Sequence, residues 1–292
     1  MRTRRKAEAA LLATTLIWGS TFTAVKLGMQ EISPVLLIVI RFSLSAAFFL
    51  VFFRRQLFPI HTSAVIKGSI LGFFLFLGFV FQNVGMVYTT ASKSAFITSM
   101  MVVFVPLLQF IVERRSPNLG NILGVVIVTA GLWFLTQPTG SAFNIGDALT
   151  LGCALVFAIY IVYLDVVSQE MSTSQLTFLQ MASNTVFSFI AVVLFENVMF
   201  TFSAFSLLTL AYLTVFATIV SVWVQTRFQK DTTPTRAVII FTIEPVIASV
   251  IAHLVLGEQL GTLGILGGGL IIGGVLISQL SDIIPGLGRT FD

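Results

Sequence analysis

Residues 96–100 read Phe-Ile-Thr-Ser-Met, and residues 241–245 of the 292-residue chain read Phe-Thr-Ile-Glu-Pro. Each stretch lies in an apolar segment that closes with a glutamate, Glu113 in the first half and Glu258 in the second. In each half the next segment carries two glycines seven positions apart, at 124 and 131 and again at 267 and 274. The chain therefore contains an internal repeat, with 145 residues between the two glutamates.

The composition is that of a membrane protein. Hydrophobic residues make up 57% of the chain and charged residues 10%, and the mean hydropathy is +1.01. An α-helix needs about 20 apolar residues to cross roughly 30 Å of hydrocarbon. Ten stretches are long enough, and we predict spans at residues 9–28, 34–53, 66–88, 94–112, 119–136, 148–167, 176–195, 207–226, 237–256 and 262–280.

Five spans in each half make the second copy cross the membrane in the opposite direction to the first. We therefore predict an all-α membrane protein with ten transmembrane helices arranged as two inverted five-helix repeats. The repeats cover residues 1–136 and 148–280, with a central external loop at 137–147 and a tail at 281–292. Inverted repeats are typical of transporters whose solute site lies at the repeat interface near the membrane midplane.

The basic residues predict the orientation, because Lys and Arg near span ends stay on the cytoplasmic side. With the N-terminus inside, the internal loops and tails contain 13 of the 16 basic residues. The other three, Lys26, Arg41 and Lys93, fall inside predicted spans or at their ends. We predict that both termini are cytoplasmic.

Several protein classes are disfavoured. One cysteine, Cys153, and two distant histidines, His61 and His253, provide neither a disulfide nor a metal motif. The chain has no Walker loop, no His-Glu-x-x-His and no complete nucleophile elbow, so we expect neither an enzyme nor a cofactor. The sequence pI near 9.5 comes from a few basic residues that flank spans, and we expect no nucleic-acid partner.

Glu244 is the residue that most clearly indicates a functional site. It is the eighth residue of the span that begins at Ala237, which places it about 12 Å from the cytoplasmic end by helix rise. A carboxylate at that depth is costly, and it indicates a proton carrier or a partner for a cationic group of a solute. The alternative is structural, because Pro245 removes a backbone donor and frees a carbonyl one turn back, and Glu244 could be neutral or paired while the helix kinks.

Two basic residues are candidates for binding an anionic group. Arg41, roughly 10 Å below the outer surface, could instead pair with a carboxylate or snorkel to water. Lys93 and Ser94 open the fourth span in a polar stretch whose helix N-terminus offers backbone donors to an anion. Ordinary N-capping by Ser92 explains that stretch equally well.

Polar and amphipathic aromatic residues within spans complete the candidate site. In lipid such groups need partners, so we expect them to face the bundle interior, while the Phe residues are assigned to lipid contact and packing. The substrate-binding candidates of this kind are Trp18, Thr21, Asn83, Tyr160, Tyr163, Asn184 and Trp223, and Gln82, Gln180 and Gln225 are further polar candidates.

Together these motifs resemble a known family over roughly residues 8 to 280. Trp18-Gly19-Ser20, Arg41-Phe42, the two glutamate motifs with their glycine pairs, Asn144-x-Gly146-Asp147 and Glu244-Pro245 are similar to the EamA-type ten-span members of the drug/metabolite transporter superfamily. The resemblance implies a multi-pass carrier of the bacterial inner membrane, with two inverted repeats around a central cavity. Members often export amino acids or other small metabolites.

One position departs from the family pattern. Met100 stands where the second repeat has Pro245, and a proline appears instead at Pro106, so we expect the two halves to bend at different depths.

The sequence thus predicts a secondary transporter that exports small organic metabolites, such as amino acids, by alternating access. Its partners would be a small-molecule solute and the lipid bilayer. A carrier of phosphorylated sugars or nucleotide sugars is an alternative, and it would need two or more convergent bases. A membrane scaffold without transport is another. The glycines of the last span are assigned to packing within one chain, so we expect a monomer.

Overall fold

The computed structural model of the chain describes residues 2–114, 117–136, 144–258 and 262–281. The side chain of Glu113, most of the central loop and the C-terminal tail lie outside this part. Within it the chain is helical, and an isolated β-bridge pairs Ile32 with Phe200. Nine helical stretches are long and apolar enough to cross a membrane, and a tenth, Leu119–Phe134, is shorter.

The helices coincide with the ten predicted spans. In the first half they are α1 Arg2–Gly28, α2 Pro34–Phe52, α3 Thr62–Tyr88, α4 with segments Ala91–Ser99 and Met101–Glu113, and α5 Leu119–Thr136. In the second half they are α6 Ile145–Ser168, α7 Thr173–Phe195, α8 from Ala204 to Phe228, α9 with segments Pro234–Phe241 and Glu244–Leu256, and α10 Thr262–Leu280. A short helix, Arg54–Leu57, follows α2, and α8 is a π-helix at Leu213–Val220.

Both α4 and α9 are interrupted near their middle. The break in α4 is at Met100, and the break in α9 is at Thr242 and Ile243, just before Glu244. Met100 and Ile243 hold the same position before the second segment of their helix, so the prediction of bends at different depths is wrong. Pro106 lies inside the continuous segment Met101–Glu113 and does not set the break.

The two glycine pairs of the repeat join the halves. A Cβ built on Gly124 would lie 3.0 Å from the carbonyl oxygen of Gly274, and one on Gly274 would lie 3.0 Å from that of Gly124. A Cβ on Gly131 would lie 2.8 Å from the carbonyl oxygen of Gly267. The backbones of α5 and α10 thus approach as closely as small residues allow. Elsewhere α2 packs on α7, α3 on α6, and α1 on α8 and α9.

Gly274→Val should destabilise the protein, because the added side chain has to displace the backbone of α5. Overpacking of this kind costs about 1–3 kcal/mol. Gly269→Val is the matched control on the same helix, since a Cβ there has nothing within 4 Å. Thermal unfolding in detergent should show a lower midpoint for G274V than for G269V. Equal midpoints would contradict the close packing of α5 on α10.

Candidate functional site

A cavity lies at the centre of the helix bundle, between the two halves. Its walls come from α1, α2, α3 and α4 of the first half and from α6, α8 and α9 of the second. The centre of a water molecule can move through about 60 Å³ of it, which leaves room for a few waters or a small solute. The lining residues are Trp18, Thr21, Arg41, Leu75, Phe79, Gln82, Thr98, Met101, Phe157, Tyr160, Ile161, Val222, Gln225, Phe241 and Glu244.

Most of the lining follows one pattern that recurs in both halves. Two residues three positions apart lie on the same face of a helix, and six helices each present one such pair to the cavity. Corresponding pairs are 139 or 143 residues apart in the chain. The matched pairs are Trp18/Thr21 with Phe157/Tyr160, Phe79/Gln82 with Val222/Gln225, and Thr98/Met101 with Phe241/Glu244.

Arg41 is the basic residue of the cavity wall. Its side chain is 2% exposed, and its Nε donates a hydrogen bond to Thr218 Oγ1 at 2.9 Å. Its guanidinium carbon lies 4.7 Å from the ring centre of Phe79 and 5.2 Å from that of Phe42. No acidic side chain of the described residues lies within 4.0 Å of it. Arg41 therefore neither snorkels to water nor pairs with a carboxylate of the described chain.

Glu244 is the acidic residue of the cavity wall. It is 8% exposed and is the first residue of the second segment of α9. No described residue donates a hydrogen bond to its carboxylate. A Cβ built on Gly19 would lie 3.0 Å from the Glu244 carbonyl oxygen, so only glycine lets α1 lie against this break. This contact explains the glycine of the Trp18-Gly19-Ser20 motif.

Trp18 and Tyr160 are fixed by hydrogen bonds that point away from the solute space. Trp18 Nε1 donates to the carbonyl oxygen of Ala217 at 3.0 Å, and its ring meets Phe241 edge-on at 5.5 Å. The Tyr160 hydroxyl donates to Gln180 Oε1 at 2.8 Å, and Gln180 Nε2 donates to Thr226 Oγ1 at 2.9 Å. Their polar atoms are satisfied by the protein, which leaves the rings to line the cavity.

The π-helical part of α8 supports two of these side chains. Ala217 receives the Trp18 hydrogen bond, and Thr218 receives that of Arg41. Single π-helical turns are rare and often occur at functional sites. No pattern in the sequence predicts this segment, and the two side chains that it binds lie 199 and 177 positions away in the chain.

Six of the predicted substrate-binding residues do not line the cavity, and neither does the further polar candidate Gln180. Asn83 Nδ2 donates to the carbonyl oxygen of Pro34, and Asn184 Oδ1 accepts from Ser188. Ser94 is fully buried, while Tyr163 and Trp223 are partly buried against the core. Conversely Phe79, Phe157 and Phe241 line the cavity, although the sequence analysis assigned the Phe residues to lipid contact and packing. Their spacing of three from a polar residue is a signal that could have identified them.

The sixth is Lys93. It lies at the end of the bundle opposite to the start of α1, called the far end below, where its Nζ is 2.6 Å from Asp147 Oδ2. The predicted anion site at the start of α4 is also occupied by the protein, because the backbone N–H groups of Ala91 and Ser92 donate to Glu258 at 3.2 and 3.3 Å. The N-cap is Thr90 rather than Ser92. A tertiary carboxylate thus takes the place expected for a solute.

Contacts between the two halves join the helices at the far end. The carboxylate of Glu196 accepts hydrogen bonds from Ser33 Oγ and from the backbone N–H groups of Val35 and Leu36, at 2.7 to 3.1 Å. The bridge between Ile32 and Phe200 joins the α1–α2 loop to the α7–α8 loop. At the opposite end Arg236 Nε donates to Glu8 at 2.8 Å. Polar contacts therefore join the two halves at both ends of the bundle.

These features define a multi-pass membrane protein with a small central cavity between its halves. The sequence model of the EamA-like transporter family matches residues 5–137 and again residues 144–280. The chain therefore belongs to the EamA-like transporter family, which confirms the resemblance seen in its motifs. This is a family of transporters and not of enzymes.

Individual transporters and a solved structure are also similar to this chain. An uncharacterized transporter of Archaeoglobus fulgidus is 33% identical over 277 residues, which are 95% of this chain and 87% of the relative. A second uncharacterized transporter of that organism is 26% identical and covers 94% of this chain and 97% of its own length. A solved crystal structure superposes with a TM-score of 0.78 at 15% identity, covering 95% and 97% of the two chains, and shows the same fold.

Lys93→Met should destabilise the protein without a specific effect on solute binding. It leaves the fully buried Asp147 without its cation, which should cost about 1–3 kcal/mol. The double variant K93M/D147N should recover part of the loss in thermal unfolding. Lys67→Met, which breaks a partly exposed pair with Glu170, is the control and should change stability by less than about 1 kcal/mol. If K93M lost solute binding while its stability stayed unchanged, Lys93 would be part of the solute site, and this prediction would be wrong.

Proposed function

We propose that this protein is a secondary transporter that exports small organic metabolites, such as amino acids or related solutes, by alternating access. The observation that carries the proposal is the cavity lined by matching residue pairs from both halves. Such a cavity can open to either side when the halves move against each other, because each half supplies an equivalent wall. The protein would reside in the cytoplasmic membrane of a bacterium.

The same proposal includes the inverted repeat. The first repeat spans residues 1–136 and the second 148–280, and two separate matches to the family model, at residues 5–137 and 144–280, support this division. Five helices per repeat reverse the second with respect to the first. The distribution of basic residues favours cytoplasmic termini and an external far end.

The energy for transport would come from a gradient of an ion or of the solute itself. The sequence has no nucleotide-binding loop, so hydrolysis of ATP by this chain is disfavoured. Glu244 faces the cavity without a hydrogen-bond donor from the described residues, and it would bind either a proton or a cationic group of the solute.

Two alternatives fit the cavity less well. A phosphorylated sugar or a nucleotide sugar carries at least two negative charges, whereas Arg41 alone supplies a basic side chain among the described lining residues. Lys93, the second base that such a carrier would need, pairs with Asp147. A scaffold without transport would gain nothing from Arg41 and Glu244, because buried charges without protein partners lower stability.

Met101→Trp tests the transport proposal directly. Met101 is 4% exposed and lines the cavity, so a Trp side chain should fill the solute space and abolish flux. Leu107→Trp, on the lipid-exposed side of the same helix segment, is the control and should transport normally. The measurement is counterflow in proteoliposomes with a panel of amino acids, organic acids, nucleotide sugars and lipophilic cations. Absence of flux for every solute with the wild-type protein would contradict the proposed function.

A further inference from the structure

Two ion pairs between the halves occupy equivalent positions at opposite ends of the bundle. At the far end Lys93 Nζ lies 2.6 Å from Asp147 Oδ2, and at the opposite end Arg236 Nε lies 2.8 Å from Glu8 Oε1. Lys93 and Arg236 are 143 positions apart in the chain, and Asp147 and Glu8 are 139 apart. These are the spacings that also relate the cavity residues of the same helices. The two pairs are therefore the same contact, present once at each end.

Each basic residue is fixed at the start of an interrupted helix. Lys93 is the third residue of the first segment of α4, and Arg236 is the third residue of the first segment of α9. The backbone N–H of Lys93 donates to Thr90 Oγ1, and that of Arg236 donates to Thr233 Oγ1, so an equivalent N-cap precedes both. The local structure thus holds the two cations in the same position relative to their helices.

The start of each interrupted helix is also held by the other interrupted helix. At the far end the backbone N–H groups of Ala91 and Ser92 donate to the carboxylate of Glu258, which follows α9, at 3.2 and 3.3 Å. At the opposite end the N–H and the hydroxyl of Thr235 donate to Gln109 Oε1 of α4 at 3.2 and 2.7 Å. Because α4 and α9 belong to different halves, separation of the halves at either end breaks a set of contacts that includes one ion pair.

We propose that the two ion pairs are latches of the cavity. Lys93–Asp147 keeps it closed toward the far end, Arg236–Glu8 keeps it closed toward the opposite end, and opening of either end breaks one pair while the other stays formed. This inference rests on the proposed function, because alternating access requires the two ends to open in turn. With both pairs formed, the cavity has room for a few waters or a small solute, which corresponds to the closed state between the two openings.

The interrupted helices connect the latches to the cavity. Lys93 and the cavity residue Thr98 lie five positions apart on the first segment of α4, and Arg236 and the cavity residue Phe241 lie five apart on the first segment of α9. A short helical segment moves as a unit, while the break that follows it lets the backbone change direction. A solute that contacts Thr98 or Phe241 therefore acts on the same segment that carries the latch.

An ion pair suits this role because it can hold an end closed without fixing it permanently. Asp147 and Arg236 are 0% and 3% exposed while their pairs are formed. When an end opens, water reaches both charges of the pair and offsets much of the lost attraction. Each latch can therefore break and form again in every cycle.

The test measures from which side the cavity can be reached. Thr21→Cys places a thiol in the cavity wall, in a chain whose own buried cysteine is removed by Cys153→Ala. The full-length protein is reconstituted in vesicles, and a removable tag at the N-terminus reports its orientation. The rate of labelling by a membrane-impermeant methanethiosulfonate is then measured separately from the far end and from the end at which α1 begins.

Double variants remove each latch without leaving an unpaired charge. Lys93→Met with Asp147→Asn should increase the labelling rate from the far end about tenfold and decrease it from the opposite end, because the equilibrium between the two openings shifts. Arg236→Met with Glu8→Gln should do the reverse. The opposite sign of the two effects is the result that a merely structural role of these pairs would not produce.

The matched control removes an ion pair that lies within the second half. Arg227→Gln with Asp231→Asn should change neither labelling rate. If a double variant does not fold, the more exposed member of its pair is replaced alone, by Lys93→Gln or Glu8→Gln, whose amide keeps a hydrogen bond to the buried partner. These single variants should give a smaller shift in the same direction.

The outcomes separate the latches from the proposed function. Shifts of both double variants toward the same side would overturn the latches, and so would unchanged labelling in both. If the wild-type protein transports a solute of the panel in that case, the latches are wrong while the transport function stands. Opposite shifts in a protein that transports no solute of the panel would support the latches and contradict the proposed function.

Discussion

The hydrocarbon interior offers a charged side chain neither water nor a counterion, and this constraint governs the centre of the molecule. Arg41 and Glu244 are nearly buried there, and the described chain gives neither of them an opposite charge. A fold that served stability alone would pair or replace them. Both line the cavity between the two halves, where a bound solute would complete their interactions.

The helix breaks and the glycine contacts position this site. Because α4 and α9 restart after Met100 and Ile243, Met101 and Glu244 take equivalent places in the cavity lining of the two halves. Gly19 lets α1 lie against the break in α9, and the glycine pairs of α5 and α10 hold the halves together away from the cavity. The contact between α5 and α10 and the central cavity therefore involve different helices.

Much of this architecture could be predicted from the sequence. Hydropathy predicts the spans, proline marks the loops between them, and the glycine pairs predict close contacts between helix backbones. The ten helices were predicted in this way, and seven of the cavity residues were predicted because they are polar or amphipathic groups inside apolar spans: Trp18, Thr21, Arg41, Gln82, Tyr160, Gln225 and Glu244. Lys93 was misplaced because its partner Asp147 is 54 residues away in the sequence. The Phe residues of the cavity were missed because composition alone does not distinguish a lipid-facing ring from a solute-facing one.

The most direct test of the account is a reversible cross-link across the far end. Ile32 and Phe200 face each other across the halves in an antiparallel bridge, with Cα atoms about 4.5 Å apart when the flanking residues carry the hydrogen bonds. In I32C/F200C a disulfide should stop flux in proteoliposomes, and a reductant should restore it, because the solute can no longer leave through this end. Undiminished transport by the oxidised protein would contradict alternating access between the halves.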